Sequence, residues 1–339
     1  MDSKTRAYSS SENPEALFKQ ATDCFEDIQQ MMRDSGPAAS NILQGTLRND
    51  MVNVIFGSNA IERAGLGLEE TIRICEAIFR GEDVDANDVP DRCVTFEVEK
   101  TSFTSSSNPQ FRSPEYEGKL ISAIHSKLPL SHVIRSRREV IQHAKALQYI
   151  VSEMVEKNQL LSEEIIMSTH RILCSDIDIE GRGELGGISA KVYAGRYRTI
   201  QVAAGSTNFV NPKFIPKKMA ELVEEFNQDI ARAEESGVLD PFSLAAKYCS
   251  DFVMIHPFAD GNGRTCRLIL NAILLKYAGI VIPIGEHDGD RAEYIEAQRK
   301  ADEMEGNGEL SSLVLKKAWV RYRALRKKMN RKSGSTEKK

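Results

Sequence analysis

The sequence predicts a mainly α-helical bundle carrying one small β-hairpin. Three observations lead there. Apolar residues recur at i, i+3 and i+4 through most of the chain, and Phe242, Ala245, Ala246, Cys249, Phe252 and Val253 form the clearest run. A polar dodecapeptide, His256 to Arg267, separates that run from a second one made of Leu268, Ile269, Ala272, Ile273 and Leu275. Between Lys191 and Val202, by contrast, β-branched and aromatic residues alternate with polar ones, as they do in a strand pair. With 339 residues, 41% of them hydrophobic and 28% charged, the chain has material for one large or two modest globular domains.

Taken in order, residues 1–14 are polar and Ser-rich, the composition of a tail. Leu17, Phe18, Ala21, Phe25 and Ile28 predict a helix from Glu15 to about Met32, broken at Ser35-Gly36-Pro37. A second run begins near Ala39 and carries Ile42, Leu43, Leu47, Met51, Val54 and Ile55. Leu68 to Phe79 predicts a further helix that ends near Gly81. Residues 101–130 read as a Ser-rich linker or long loop. The spacing of Val133, Val140, Ile141, Ala144, Leu147, Ile150 and Val151 predicts the helix that opens the main domain, taken as 131–325. Ser162 is placed to cap a helix through Ile165, Ile166 and Ile172, on which His170 reads as a structural residue. Asn208 to Pro212 closes the expected hairpin. Asp240-Pro241 supplies an N-cap and a first-turn proline to the helix before the dodecapeptide, and Gly279 suits the end of the helix after it. Asp290 starts another helix. A last one, with Leu310, Leu313, Leu315, Trp319, Tyr322 and Leu325, runs into a basic tail over 326–339.

Charge and cysteine usage narrow the classes. The whole chain carries a net −4, but Lys316 to Lys339 holds eleven Lys and Arg against one acid, Glu337; that +10 leaves −14 for the remainder. A solvated basic end accounts for this, and nucleic acid is not an expected partner. The first residues lack the apolar region of a signal peptide, and the longest apolar stretch, Leu268 to Pro283, falls short of the ~20 residues of a membrane span. Six cysteines without C-x-x-C spacing indicate neither a zinc site nor a disulfide framework, so a reducing compartment, cytoplasm or nucleus, is expected. Gly181 to Gly186 spells G-x-G-x-x-G, but no strand precedes it and no helix follows, so a dinucleotide site is rejected.

The dodecapeptide is where the chemistry lies. It caps the N-terminus of a core helix, an end with free N–H groups and about half a positive charge, which suits a phosphate. Asp260 is a hard oxygen ligand of the kind Mg²⁺ shares with substrate phosphates. Gly261 and Gly263 let the backbone approach an anion. Arg264 and Arg267, three apart, lie on one helix face and suit successive phosphates. His256 can take a proton near neutrality. An EF-hand does not fit, because Arg264, Thr265 and Asn271 would stand at loop positions that need other residues.

His256-Pro257-Phe258-Ala259-Asp260-Gly261-Asn262-Gly263-Arg264-Thr265-Cys266-Arg267 fills every fixed position of H-x-F-x-D/E-G-N-G-R-x-x-R and so resembles the signature of the Fic/DOC family. A second stretch, Ser58-Asn59-Ala60-Ile61-Glu62-Arg63, resembles the inhibitory segment S/T-x-x-x-E-G/N that many members carry, within an N-terminal helical region over 36–100; Arg63 departs from the usual glycine or asparagine. The resemblance covers most of 130–310. It implies a helical bundle with a β-hairpin flap over the active site and transfer of AMP from ATP to a Ser, Thr or Tyr hydroxyl of a target protein, with Mg²⁺ as cofactor. His256 would be the base and Asp260 the Mg²⁺ ligand. Asn262, Gly261 and Gly263 would steady the α-phosphate, and Arg264 and Arg267 the β- and γ-phosphates. Tyr294, with Ile295 beside it, would meet the base of the nucleotide. Ile200, Val202, Ala203, Ala204 and Gly205 would form the target-docking flap. Glu62, with Ser58, would inhibit by pairing with Arg267. Asp302 falls where relatives tend to carry asparagine.

Other readings stay open on the residues alone. In one, Glu62 orients a water that removes AMP from a modified protein; in the other, the chain is a non-catalytic nucleotide-binding regulator. Phosphoryl transfer is disfavoured by Gly263, where that branch usually has lysine, and phosphocholine transfer by Gly261. Relatives with the inhibitory segment often form homodimers, although no stretch here marks an interface.

Overall fold

The computed structural model describes residues 13–89, 129–181, 186–204, 207–287, 289–301 and 306–336. Gly205, Asp302, most of the Ser-rich linker and the middle of the Gly181–Gly186 stretch lie outside them. Ten helices occur among the described residues: α1 (Pro14–Ile61), α2 (Leu68–Phe79), α3 (Leu130–Val151), α4 (Glu163–Leu173), the four-residue α5 (Ala190–Tyr193), α6 (Ile215–Ser236), α7 (Pro241–Ile255), α8 (Asn262–Ala278), α9 (Asp290–Lys300) and α10 (Gly308–Thr336). None is long and apolar enough to cross a membrane.

Local chemistry sets the boundaries. The Asn13 side chain accepts from Ala16 N–H and Pro14 starts α1. The two helices expected on either side of Gly36 form one rod with a kink, because Gly36 takes φ 46° and ψ −119° where a helix cannot continue straight. Ser162 caps α4 through Ile165 N–H, and Asp240 caps α7 through Phe242 and Ser243 N–H. Gly279, at φ 67°, ends α8 in the left-handed conformation that favours glycine. A π-turn, Ser152–Glu156, extends α3. The 22-residue α6 was not anticipated, although Ile215, Met219, Leu222, Phe226 and Ile230 are its buried face and their spacing is helical.

The expected β-hairpin flap is not formed, and the fold is mainly α. Residues 190–193 are a helical turn, and 194–202 run without strand pairing. Among the described residues, antiparallel pairing near this stretch is limited to two residues a side, Ala203–Ala204 with Thr207–Asn208, besides a single bridge between Ile179 and Ile188. The physical reason is that the backbone groups of this stretch are engaged elsewhere. Arg196 N–H donates to Tyr193 O, Arg198 N–H donates to Pro257 O, and the Arg198 side chain binds the carbonyls of Ile200 and Val210. Burial does not follow the alternation of residue types: Tyr193 and Arg198 are inside, whereas Val192 and Ile200 are exposed.

One core joins the helices. α7 and α8 pack against each other at its centre, where Phe252, Phe258, Leu268, Ile269 and Ile273 are fully buried. α10 lies along α1, with the Phe25 and Tyr322 rings 5.7 Å apart, and Arg321 pairs with Asp50 of α1 at 3.0 Å. At the far end of α1 the approach is closer still. A Cβ on Gly57 would come within 2.5 Å of Ile284 O, and one on Gly285 would strike Gly57 O. Two facing glycines thus let α1 lie directly on the 284–286 backbone, which carries Ser58 and Glu62 toward α8.

Candidate active site

The dodecapeptide folds as a loop between α7 and α8 that is braced from three sides. His256 terminates α7 in the left-handed region, at φ 51° and ψ 59°, with its N–H donating to Phe252 O. Phe258 is buried and stacks on the His170 ring, with centroids 3.6 Å apart and planes 6° apart. His170 in turn accepts from Gly195 N–H at Nδ1 and so donates from Nε2 to Asp260 O, at 2.8 and 2.9 Å. Burial pushes its pKa down to about 4, which keeps it in this neutral tautomer. The expected structural role of His170 is the one its contacts describe. Gly261 sits at φ 74° against the same ring, where a Cβ would meet Cys174 Sγ at 2.9 Å.

The His256 imidazole is oriented from both ends. Val253 O can only accept, so the 3.1 Å contact places the ring proton on Nδ1 and leaves the Nε2 lone pair available. The Phe209 ring covers one face at 3.7 Å and 12°. Burial lowers the His256 pKa below its ordinary 6.5, and the Arg198 charge adds to this against the Val253 hydrogen bond. The imidazole is therefore neutral and basic at pH 7. A rate that depends on it should rise with pH through a value below 6.5 and be level above it, which a kcat–pH profile checks. A profile still climbing above pH 7.5 would contradict this ring as the titrating base.

Around the start of α8 the charges converge. The Arg267 side chain is 2% exposed. It donates from Nε to Ser58 Oγ at 2.8 Å, and from Nη2 to Ser58 O at 3.0 Å and to Glu62 Oε1 at 2.7 Å. Burial works against ionisation of Glu62, but the charge and hydrogen bond of Arg267, with Arg264 beyond, outweigh it and hold the carboxyl below its usual range. Gly263 leaves room for this pair, because a Cβ there would meet Glu62 Oε1 and lie 3.2 Å from Arg267 Nη1, so the carboxylate would have to move. Arg63 follows at φ 56°, the left-handed conformation that glycine and asparagine adopt most readily. The departure from the usual residue thus keeps the turn at some conformational cost. Asn59 Oδ1 meets His143 Nδ1 at 2.9 Å and fixes the same segment to α3.

Arg264 is buried, with Nη2 3.6 Å from Asp260 Oδ2, and its Nε and Nη1 have no hydrogen-bond partner among the described residues. Buried guanidinium donors left unpaired are costly, and Arg264 belongs to the first turn of α8, whose first N–H groups are also free of intrahelical partners. An anion is the complement of this arrangement. Asp260 is the exposed member, at 45%. A single carboxylate is what Mg²⁺ takes from a protein when phosphate oxygens and water complete its shell; no group of three or more metal-ligating side chains occurs among the described residues.

Three sequence expectations take a different form. The Asn262 amide is spent on the loop itself, accepting from Phe258 N–H and donating to Phe258 O at 2.9 and 2.8 Å, so only its backbone N–H points to an anion role. Tyr294 is buried beneath Arg267, whose guanidinium lies 5.5 Å from the ring centroid, while its hydroxyl receives Gln298 Nε2; Ile295 is exposed instead. Ile200 is 49% exposed and Val202 half-buried, neither of them in a sheet. Arg198 escaped the sequence reading altogether, since an arginine in an alternating stretch looks like a solvated residue.

Comparison with known proteins agrees with this architecture. The profile of the Fic/DOC family matches residues 160–274. The protein adenylyltransferase fic-1 of Caenorhabditis briggsae is 32% identical over 163 residues, which are 48% of this chain but 28% of that protein. The chain therefore spans little more than a quarter of such relatives. A Fido-domain-containing protein of Dictyostelium discoideum is 40% identical over 108 residues, 32% of this chain and 71% of its own length. Among solved structures, residues 134–508 of Fic-1 from C. elegans superpose with a TM-score of 0.62 at 20% identity, covering 94% of this chain and 73% of that one. A Fic-domain-containing signaling protein from Bacteroides thetaiotaomicron gives 0.60 at 20% identity, covering 93% and 98%. A signature folded as a braced loop at a helix N-terminus, a family profile that includes it and a relative matched over most of its length together make this chain a member of the Fic/DOC family.

Proposed function

We propose that the chain is a protein adenylyltransferase, transferring AMP from ATP to a Ser, Thr or Tyr hydroxyl of a protein target, and that Glu62 inhibits it. The observation that carries this reading is the pairing of a neutral, Nδ1-anchored His256 with the unpaired buried donors of Arg264 at the N-terminus of α8. One group accepts a proton and the other binds the phosphates, on opposite sides of the Gly261–Gly263 turn. The names of the adenylyltransferases it is similar to support the donor and the reaction class.

In this mechanism His256 Nε2 takes the hydroxyl proton as the oxygen attacks the α-phosphorus, a role typically worth about 10²–10⁴ in rate. The bond from the α-phosphorus to the bridging oxygen breaks, and pyrophosphate leaves. The backbone N–H groups of Asn262 and Gly263 and the Arg264 guanidinium hold the phosphates in line. Asp260 would hold Mg²⁺, which when bound neutralises phosphate charge. Arg267 is available to the terminal phosphate only when Glu62 and Ser58 release it, so the chain as described is in a self-inhibited arrangement.

The test uses wild type, Glu62→Gly and Glu62→Gly/His256→Ala with α-labelled ATP and Mg²⁺. Protein-bound label in Glu62→Gly that is absent from the double variant is the expected result. Label persisting in the double variant removes His256 as the base. No label in any sample removes the transferase reading; release of AMP from an AMP-modified protein by wild type would then identify the reverse reaction.

A further inference from the structure

Arg198 is 4% exposed, yet among the described residues no carboxylate pairs with it. All its described side-chain bonds go to main-chain carbonyls. Nε donates to His256 O at 2.7 Å, Nη1 to Ile200 O at 2.8 Å and Nη2 to Val210 O at 2.6 Å. Its own N–H donates to Pro257 O at 2.9 Å. One residue therefore grips two consecutive carbonyls of the catalytic loop and one carbonyl from each limb of the segment that passes beside it. Gln201 Nε2 ties the limbs again, through Phe209 O at 3.0 Å, and Phe209 lays its ring on His256.

A buried cation satisfied only by carbonyls is an expensive way to hold a loop, since burial works against its charge and lowers its pKa. What the guanidinium offers is a planar fork whose donors reach three acceptors in fixed directions, which an ammonium cannot reproduce. The three acceptors all bear on one object, the His256 ring. One sets the carbonyl of the left-handed residue itself, and the other two anchor the limbs, one of which brings Phe209 to the ring face. No donor of Arg198 is directed to Asp260, Arg264 or Arg267.

We propose that Arg198 is a positioning residue that locks the His256 imidazole to the Ile200 and Val210 limbs, and so governs the proton-transfer step while leaving nucleotide binding untouched. Its catalytic consequence rests on the adenylyl-transfer reading above; the clamp itself does not. Displacing a reacting group by about 1 Å can cost about 10²-fold, and that is the loss expected.

The experiment compares Glu62→Gly with Glu62→Gly/Arg198→Lys and Glu62→Gly/Arg198→Ala. Auto-modification from α-labelled ATP should slow about 10²-fold in both, with KM for ATP within about twofold of the parent, because only the chemical step is touched. Lysine should not rescue, although it keeps the charge. Amide exchange should quicken in peptides covering 199–202 and 209–211. The imidazole ¹H–¹³C signal of His256, assigned by its loss in His256→Ala, should shift as the Phe209 ring moves away. A lysine variant with parental rate, or one whose exchange and His256 signal are unmoved, overturns the proposal. So does loss of rate accompanied by an equal loss of ATP affinity, which would mark general damage. If the parent takes no label, the transfer reading fails, while exchange and the His256 signal still decide the clamp.

Discussion

Glu62→Gly is expected to incorporate label from α-labelled ATP about tenfold faster than wild type, and the figure follows from the contact it removes. A hydrogen bond to a charged group contributes about 1.5–3 kcal/mol, and about 1.4 kcal/mol is a factor of ten. The Glu62 side chain is 38% exposed, so water screens the pair and the lower end applies. Ser58 keeps its two contacts with Arg267 in the variant, which limits the gain further. Acidification is a poor substitute for the mutation. The Glu62 carboxyl lies below its ordinary 4.5, so the pairing is fully present above that value and is lost only as pH falls through the depressed one. Equal labelling of Glu62→Gly and wild type across a range of ATP concentrations would show that the carboxylate does not restrain Arg267.

Arg264→Met should move stability and nucleotide affinity in opposite directions. Arg264 is a buried cation with two unpaired donors, and an apolar side chain of similar length removes their desolvation cost. Asp260, the charge left behind, is 45% exposed and stays solvated, so a gain of about 1 kcal/mol is expected, or a rise in Tm of about 1–2 °C for a chain of this size. The loss of a charge-assisted phosphate contact should weaken ATP binding about tenfold to a hundredfold. Thermal denaturation without ligand and titration with ATP and Mg²⁺ measure the two separately. If stability falls together with affinity, Arg264 is a structural residue and the phosphate role is wrong.

The parts of the site that were legible are those whose chemistry is local. His256, Asp260, Gly261, Gly263, Arg264 and Arg267 stand within twelve residues, and their caps, turns and helix faces follow from residue type and spacing. The Glu62–Arg267 pair, separated by 205 residues, became readable only through resemblance, because Ser-x-x-x-Glu carries no information about what it faces. Asn262 and Tyr294 show the converse difficulty. The resemblance implied that both lie near the nucleotide, but whether an amide serves the loop or the ligand, and which way α9 turns its aromatic, depend on packing between elements. The alternating 191–202 stretch misled for a related reason: alternation of residue type does not fix burial, and here Tyr193, Gly195 and Arg198 are the buried residues of an irregular segment that an arginine clamps without a sheet. α6 is a simpler omission, since its apolar spacing was visible.

The facing glycines at 57 and 285 have a mechanical consequence for inhibition. Backbone lies on backbone there, without side chains to act as rollers, so α1 is notched against the 284–286 segment one turn before Glu62. Axial sliding of the rod is blocked by that notch. Under the proposed inhibition, Arg267 would be freed by movement within the last turn of α1 and the residues after it, Ser58 to Arg63, and the long helix behind it would act as an anchored post that need not travel.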